Sequence, residues 1–377
     1  MLSEFQPFEG IYGFLFFSFA GLLLIQLLYY WVVFVRLVIY KHKPATRDDK
    51  GVSIVICSRD GYAQLKENLP YVLDQDHPNF EVVVVNNNSD DDSAFLLARL
   101  AEEHPNLKIV EIRQNLNFFS GKKFPLSIGI KSAHHDLILL TDADCKPVTR
   151  KWLSFMQQAF DKSTDIVLGY GGYKKSGGLL NKLIRFDSVQ IAIQYFSLAL
   201  AGIPYMGVGR NMAYRKSLFF ENRGFISHYN ISSGDDDLFV NRVATKRNTR
   251  IVVDPDSFTL SEPKKSFSEW IIQKRRHLST GMFYRWHHKM LLGAYTLSIV
   301  LFYALFVWLL VADYNIFLVL ALFSLRFISQ LFIFRKCMIR LNEKGLWIFV
   351  PFLEIVILLI NSSLSFTAMF SKPVKWK

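Results

Sequence analysis

Cysteine is scarce in this chain. Cys57, Cys145 and Cys337 are the whole complement of a 377-residue sequence, and no two of them form a C-x-x-C pair. That excludes a disulfide framework and a thiolate zinc site, and it suits a reducing compartment. Charge is also thin, at 20% of residues against 51% hydrophobic. So apolar a composition does not fit a soluble two-domain enzyme, and membrane-spanning segments are expected. Acidic residues are the rarer sign, 32 against 44 Lys and Arg, for a formal net charge of +12. The apolar excess directs those cations to anionic lipid headgroups rather than to nucleic acid. No internal repeat or low-complexity tract is present.

Long apolar runs are abundant. Residues 11–35 exceed the roughly 20 needed to cross a bilayer. The run is too long for a signal-peptide core, no basic residue precedes it and no small-residue cleavage site follows, so a retained anchor is expected. Arg36, Lys41, Lys43, Arg47 and Lys50 follow it, whereas Glu4 and Glu9 precede it. The positive-inside rule then places the N-terminus outside and the next domain in the cytoplasm, at the cell (inner or plasma) membrane. Further runs cover residues 291–311, 316–334 and 346–370. Four full spans would leave Lys372, Lys375 and Lys377 outside, against the same rule. The last run, which holds Pro351, Glu354, Asn361 and several serines, is therefore the weakest span and a candidate re-entrant or interfacial segment. Arg326 and Glu354 each fall about nine residues, or roughly 13 Å, from an inferred helix end. Charges at that depth pair with one another or face a polar cavity, unless Arg326 snorkels to water.

Residues 47–262 read as an α/β domain, between an anchor at 1–46 and an amphipathic segment at 263–289 that leads into a membrane region at 290–377. "GVSIVIC", "FEVVVVN" and "HDLILLTD" are short β-branched or apolar strands, with helical stretches at residues 64–73 and 93–103 between them. This alternation predicts a largely parallel, doubly wound sheet. Ligands of such sheets bind beyond the strand carboxyl ends, where the polar tails "CSRDG", "NNNSDDDS" and "DADCKP" all fall. In residues 264–289, Trp270, Phe283, Tyr284 and Trp286 alternate with Lys274, Arg275, Arg276, His287 and His288, which suits a helix lying in the membrane interface.

Four local patterns carry chemistry. In "LILLTDADCKP" a strand ends in Asp142-x-Asp144, a pair able to hold a hard divalent cation together with substrate phosphates; a solvated turn is the plainer reading. In "SGDDDLFVNRV", Asp235, Asp236 and Asp237 repel one another and so raise a pKa into the range of a general base; acids complementing a helix N-terminus are an equal alternative. In "EWIIQKRRHLSTG", Gln273, Arg276 and His277 lie within about one helical turn, and Arg can grip phosphate bidentately. Taken alone, that motif is the basic face of an interfacial helix. In "FFSGKKFPLSIGIKSA", Lys122 and Lys123 open a helix, where phosphate is favoured, although a solvated pair is the commoner case.

In this order the four patterns resemble glycosyltransferase family 2, the inverting family that includes cellulose, chitin and hyaluronan synthases and ceramide glucosyltransferases. The resemblance covers residues 52–284. "VSIVICSRDG" is similar to the family's first strand and nucleotide-contacting turn, bringing in Cys57 and Arg59. "GKKFPLSIGI" resembles its Gly-Lys helix, "DADC" its D-x-D motif, "GDDDL" its later acidic motif, "QKRRH" its Q-x-x-R-W motif, and "GVGRNMAYRKSLF" its acceptor-side segment. The resemblance implies a Rossmann-like GT-A catalytic domain flanked by transmembrane helices, a nucleotide-diphosphate-sugar donor, and Mg²⁺ or Mn²⁺ as cofactor. It implies that Asp142 and Asp144 hold the metal, with Asp142 also near the donor ribose. Arg276 and Lys122 stabilise the leaving diphosphate, and Asp236 is the base, with one of Asp235 and Asp237 tuning it and the other capping the helix. Two departures stand out. Asn86 and Asn87 occupy the place of the family's Asp-Asp, whose second member reads the base, and His277 replaces the final Trp. Asn87 still offers hydrogen bonds to a base edge.

The acceptor is less defined. "FDSVQIAIQYFSLALAGIPY" fits core packing and an acceptor groove equally. Membrane anchoring suits a lipid acceptor or a growing glycan. Three or four spans are few for a sugar-lined channel unless subunits associate, which favours single transfer to a lipid-linked acceptor, with a processive synthase subunit or an inactive nucleotide-sugar-binding scaffold as the alternatives.

Overall fold

The computed structural model describes residues 8–41, 50–113, 121–231 and 233–368. Glu4, Lys43, Arg47, Lys372, Lys375 and Lys377, on which part of the charge argument rests, lie outside these residues. The chain divides into two compact units, Met1–Tyr40 with Arg285–Ser363, and Lys41–Tyr284 with Leu364–Lys377.

In the second unit the strands are β1 (Val52–Ser58), β2 (Phe80–Asn87), β3 (Leu107–Ile112), β4 (Leu137–Leu140), β5 (Cys145–Pro147), β6 (Ile166–Leu168), β7 (Gly171–Tyr173), β8 (Met212–Arg215), β9 (Thr249–Ile251) and β10 (Thr259–Ser261). The main sheet runs β3-β2-β1-β4-β8-β6-β9, and a small sheet runs β5-β10-β7. β1 pairs in parallel with both β2 and β4. The chain leaves β1 toward one side of the sheet and returns through β4 on the other, the switch point at which α/β sheets bind ligands. The sheet is mixed rather than wholly parallel, because β8 runs antiparallel to β4 and β6.

Every residue of β1 is buried, as expected of a strand covered on both faces and written as an unbroken apolar run. One face packs Val52, Ile54 and Ile56 against Leu65, Leu69, Leu97 and Trp152; each such side chain contributes about 1.5–3 kcal/mol by leaving water. The helix Lys123–Ser132 lies close against the sheet at Gly129. A Cβ there would stand 2.7 Å from Val55 Cγ1 and 2.8 Å from Val85 Cγ2. That tight seat fixes where the helix begins, and therefore where Lys122 and Lys123 stand. The stretch left open between core and acceptor groove belongs to the helix Leu179–Leu200, where Phe186, Val189, Ile193, Tyr195 and Phe196 are all buried. It is mainly core.

Among the described residues four helices are long and apolar enough to cross a membrane, Gly10–Ile39, Trp286–Val311, Ile316–Arg340 and Trp347–Ser365. The first contains a π-helical segment at Tyr29–Phe34. The last is continuous from Val350 onward despite its polar residues, so it is no re-entrant loop among the described residues. Phe16, Phe19 and Leu23 pack on Phe302, Leu309 and Val319.

Arg326 and Glu354 do pair, at 2.6 Å between Nη2 and Oε2, with side chains 0% and 2% exposed. Snorkelling is thus excluded for Arg326. Gln26 Oε1 accepts from Arg326 Nε at 2.8 Å, and Tyr303 Oη and Gln330 Oε1 accept from Nη1 at 2.9 Å each. Gln330 Nε2 completes the network by donating to Glu354 Oε1 at 2.6 Å. Each of the four helices supplies a member. Arg326→Leu alone is expected to cost about 3–5 kcal/mol by stranding a buried charge, and Arg326→Leu with Glu354→Leu markedly less. Unfolding of the detergent-solubilised protein measures both; equal losses would refute the pairing as a source of stability.

Candidate active site

β4 is buried throughout and delivers Asp142 and Asp144 at its carboxyl end. Cys145 N–H donates to Asp142 O at 3.0 Å, a turn that folds the two carboxylates together. The ligand atoms of Asp142, Asp144 and Cys145 lie within 4.8 Å of one another. Cys145 is not a third ligand for a hard cation. Burial and the two neighbouring aspartates push its thiol up, and its Sγ lies 3.0 Å from Ser261 Oγ. Burial also pushes Asp142 up, but Lys122, Arg210 and Arg276 outweigh it and hold the carboxyl below its ordinary value. Asp144 goes the other way, raised by burial and by the charge of Asp142. A carboxylate disfavoured for want of positive charge, beside one already ionised, is a donor set that fits Mg²⁺ or Mn²⁺.

Lys122 stands just before its helix and forms an ion pair with Asp142. Burial opposes its charge, yet Asp142 and Asp235 hold its pKa above the ordinary lysine value. It is therefore a fixed cation. Cys57 closes the floor at the end of β1, its thiol raised to about 12 chiefly by burial.

The acidic motif follows Gly234, whose φ of +94 and missing Cβ both matter. An added Cβ would fall 2.4 Å from Leu238 Cδ1. Asp236 caps the helix Asp237–Val243, accepting Asp237 N–H at 2.8 Å through Oδ1 and Gly209 N–H at 2.8 Å through Oδ2. Capping is expected of a neighbour, Asp235 or Asp237, but the side chain that caps this helix is that of Asp236. Burial and the charges of Asp235 and Asp237 raise Asp236 to about 7. The cap and the tuned acid are one residue, so the two readings of this motif do not compete.

The helix Phe267–Thr280 opens on Ser266, whose Oγ accepts Glu269 N–H at 3.3 Å. Trp270 and Lys274 are buried, and Lys274 pairs with Asp187 at 2.6 Å. Those two residues therefore serve packing within this unit, not headgroup contact as their pattern suggested. Arg276 is felt electrostatically at Asp142 and at His277. Its Nε is buried without a hydrogen-bond partner, a donor left available to an anion. His277 keeps an accessible edge, yet surrounding protein together with Arg276, Arg210 and Lys274 pushes its ring well below the usual histidine range.

Lys122, Asp142, Asp144, Asp235 and Arg276 thus form one charge cluster, which the uncharged Cys57 and His277 border, and Asp236 adjoins it through the Gly209–Arg210 backbone. Arg59, Asn87 and Gln273 stand outside that cluster. Arg59 lies 3.8 Å from Asp60, Asn87 is half-buried at the end of β2, and Gln273 is half-buried on its helix. Asn86 is structural, its Nδ2 donating to both carboxylate oxygens of Glu111 at 3.1 Å. Arg210 is not among the residues expected at the site, and Lys123, expected with Lys122 at a helix start that favours phosphate, turns instead to backbone carbonyls. Arg210 acts on both Asp142 and Asp144 and stacks 4.4 Å from the Tyr173 ring; its one advance sign was an arginine inside the otherwise apolar "GVGRNMAY".

Glycosyltransferase like family 2 matches residues 49–280. Among solved structures, the mannosyltransferase PcManGT from Pyrobaculum calidifontis, in complex with GDP-Man and Mn²⁺, is similar with a TM-score of 0.59 and 18% identity, over 93% of this chain and 97% of that one. TarS of S. aureus, in complex with UDP-GlcNAc, has a TM-score of 0.44 and 17% identity, covering 65% of this chain and 71% of the TarS chain. No curated protein sequence matches. The family match over more than half the chain and the shared fold lead to one conclusion: this chain belongs to glycosyltransferase family 2 and is a glycosyltransferase with a GT-A catalytic domain and four candidate membrane-spanning helices.

Proposed function

We propose that the enzyme moves a sugar from a nucleotide-diphosphate-sugar to a lipid-linked acceptor beside the bilayer, in one inverting displacement that depends on Mg²⁺ or Mn²⁺. The observation that carries this reading is a base-range carboxyl, Asp236, adjoining a D-x-D pair and an arginine with a free buried donor. Asp142 and Asp144 would hold the cation, which when bound neutralises charge on the departing nucleoside diphosphate. Lys122 and Arg276 orient the diphosphate and meet its growing charge. Cys57, Arg59 and Asn87 line the nucleotide side, and Gln273 and His277 the sugar side. Asp236 takes the proton of the acceptor hydroxyl at Oδ1 or Oδ2 as that oxygen attacks the anomeric carbon from the face opposite the leaving group.

The anchor at 1–46, the catalytic domain at 47–262, the segment at 263–289 and the membrane region at 290–377 would keep this chemistry at the cytoplasmic side, N-terminus outside. Four spans are few for a sugar-lined channel, which favours single transfer.

Purified protein with Mn²⁺ should release nucleoside diphosphate from one member of a sugar-nucleotide panel that includes GDP-mannose and UDP-N-acetylglucosamine, and EDTA should stop it. Release unaffected by EDTA would sink the metal assignment. The base must be ionised to work, so kcat/KM should rise as pH climbs through about 7 and fall away below it. A profile flat down to about pH 5, where an ordinary aspartate is still ionised, would contradict a raised pKa at the base.

A further inference from the structure

The residues flanking Asp236 are held from both ends. Lys123 is only 2% exposed, and its Nζ donates to the carbonyls of His228 at 2.7 Å, Ile231 at 2.5 Å and Ser233 at 2.6 Å. An ammonium has three N–H bonds, so this one is saturated. All three acceptors are backbone atoms of the segment leading into the acidic motif. The arrangement fixes the path of that segment rather than any side chain on it. Burial lowers Lys123 to about 8, with Asp235, Asp237 and Asp236 opposing the shift, so the cation is retained at neutral pH.

The other end is held at Asp237, which is 7% exposed. Its Oδ2 accepts from Thr280 Oγ1 and, at 2.7 Å, from Tyr284 Oη, while Oδ1 accepts Leu238 N–H at 2.7 Å. The anchoring points are telling. Lys123 directly follows Lys122, the partner of Asp142. Thr280 follows Arg276 by four residues, about one helical turn. Each tether therefore ends on an element that also presents a cation to the diphosphate.

We propose that Lys123 and Asp237 are positioning residues that strap the Asp236 segment to the two elements carrying Lys122 and Arg276, so that engaging the donor diphosphate and aligning the base are mechanically one event. This rests on the roles given above to Asp236, Lys122 and Arg276. Misplacing a base by about 1 Å costs on the order of 10²-fold in rate, whereas the groups that grip the diphosphate stay in place.

The test uses the full chain in membranes that supply the acceptor. Two variants are compared, Thr280→Val with Tyr284→Phe, and Lys123→Met. Both should lose about 10²-fold in kcat, with the Kd for nucleoside diphosphate and Mn²⁺ changed less than about threefold. Thr280→Ser, which keeps the hydroxyl, should retain activity. Adding nucleoside diphosphate with Mn²⁺ should slow amide exchange across residues 228–237 in the native protein and fail to do so in the double variant. Near-native kcat in the double variant, or a loss of nucleotide affinity as large as the loss of kcat, overturns the proposal. The double variant decides the matter if Lys123→Met does not fold. Should Asp236→Asn itself retain turnover, the base assignment has failed instead, and the two failures are told apart.

Discussion

Asp236→Asn should lower sugar transfer by about 10²–10⁴-fold, the range a positioned general base supplies, while nucleoside diphosphate with Mn²⁺ still binds within about threefold of native. The substitution suits this question because it removes the proton acceptor and little else. Asn is as good a helix cap as Asp, so the helix Asp237–Val243 keeps its start. One of the two hydrogen bonds at 2.8 Å, from Gly209 N–H or Asp237 N–H, meets an amide nitrogen instead of an oxygen, at a cost of about 1 kcal/mol. That is too small to unfold the domain or to imitate the loss of a base. Near-native turnover, measured beside nucleotide affinity on the same preparation, would remove Asp236 from the mechanism. A matching loss of affinity would make it a structural residue.

The second large effect is at Asp144. Asp144→Ala should abolish metal-dependent release of nucleoside diphosphate, a loss on the order of 10³-fold if the cation supplies several kcal/mol to the leaving group. Raised Mn²⁺ should not restore it, because Cys145 is buried, hydrogen-bonded to Ser261 and held protonated. Asp142→Ala differs in character. It also frees Lys122, so part of the lost charge compensation returns as a mobile cation, and nucleotide binding should suffer less than turnover. Equal metal dependence in native protein and Asp144→Ala, followed by titrating Mn²⁺ against initial rate, would show that the cation binds elsewhere.

Much of this architecture could be read from the residues alone, for a physical reason. β1, β2 and β4 are buried on both faces, so they appear as apolar runs, and each ends where the chain must turn polar to meet a ligand. The D-x-D pair is legible for that reason, whereas the acidic triplet and Arg276, at a helix start and within a helix, are legible from their local charge patterns. What escaped was burial of charge. Lys123, Lys274, Asp187 and Asp237 look solvated in sequence, since lysine and aspartate are almost never buried unless paired, and their partners are distant in sequence. Trp270 beside Lys274 likewise imitated a membrane-interface pattern, when an ion pair to Asp187 lets both go inside. The antiparallel β8 and the short strands of the small sheet were also hidden, because three- or four-residue strands carry no period long enough to detect. Arg326 and Glu354 were the exception, because apolar surroundings leave two lone charges little choice but each other.

The proposed transfer requires Asp144, Arg276 and their neighbours to gather about one cation and one diphosphate. Calorimetric titration of nucleoside diphosphate into native protein, Asp144→Ala and Arg276→Ala, each with Mn²⁺ and with EDTA, tests that gathering most directly. Strong binding by the native protein only with Mn²⁺, loss of the metal dependence in Asp144→Ala, and weakened binding in Arg276→Ala is the result expected. The same affinity in all three proteins, with or without the cation, would contradict it.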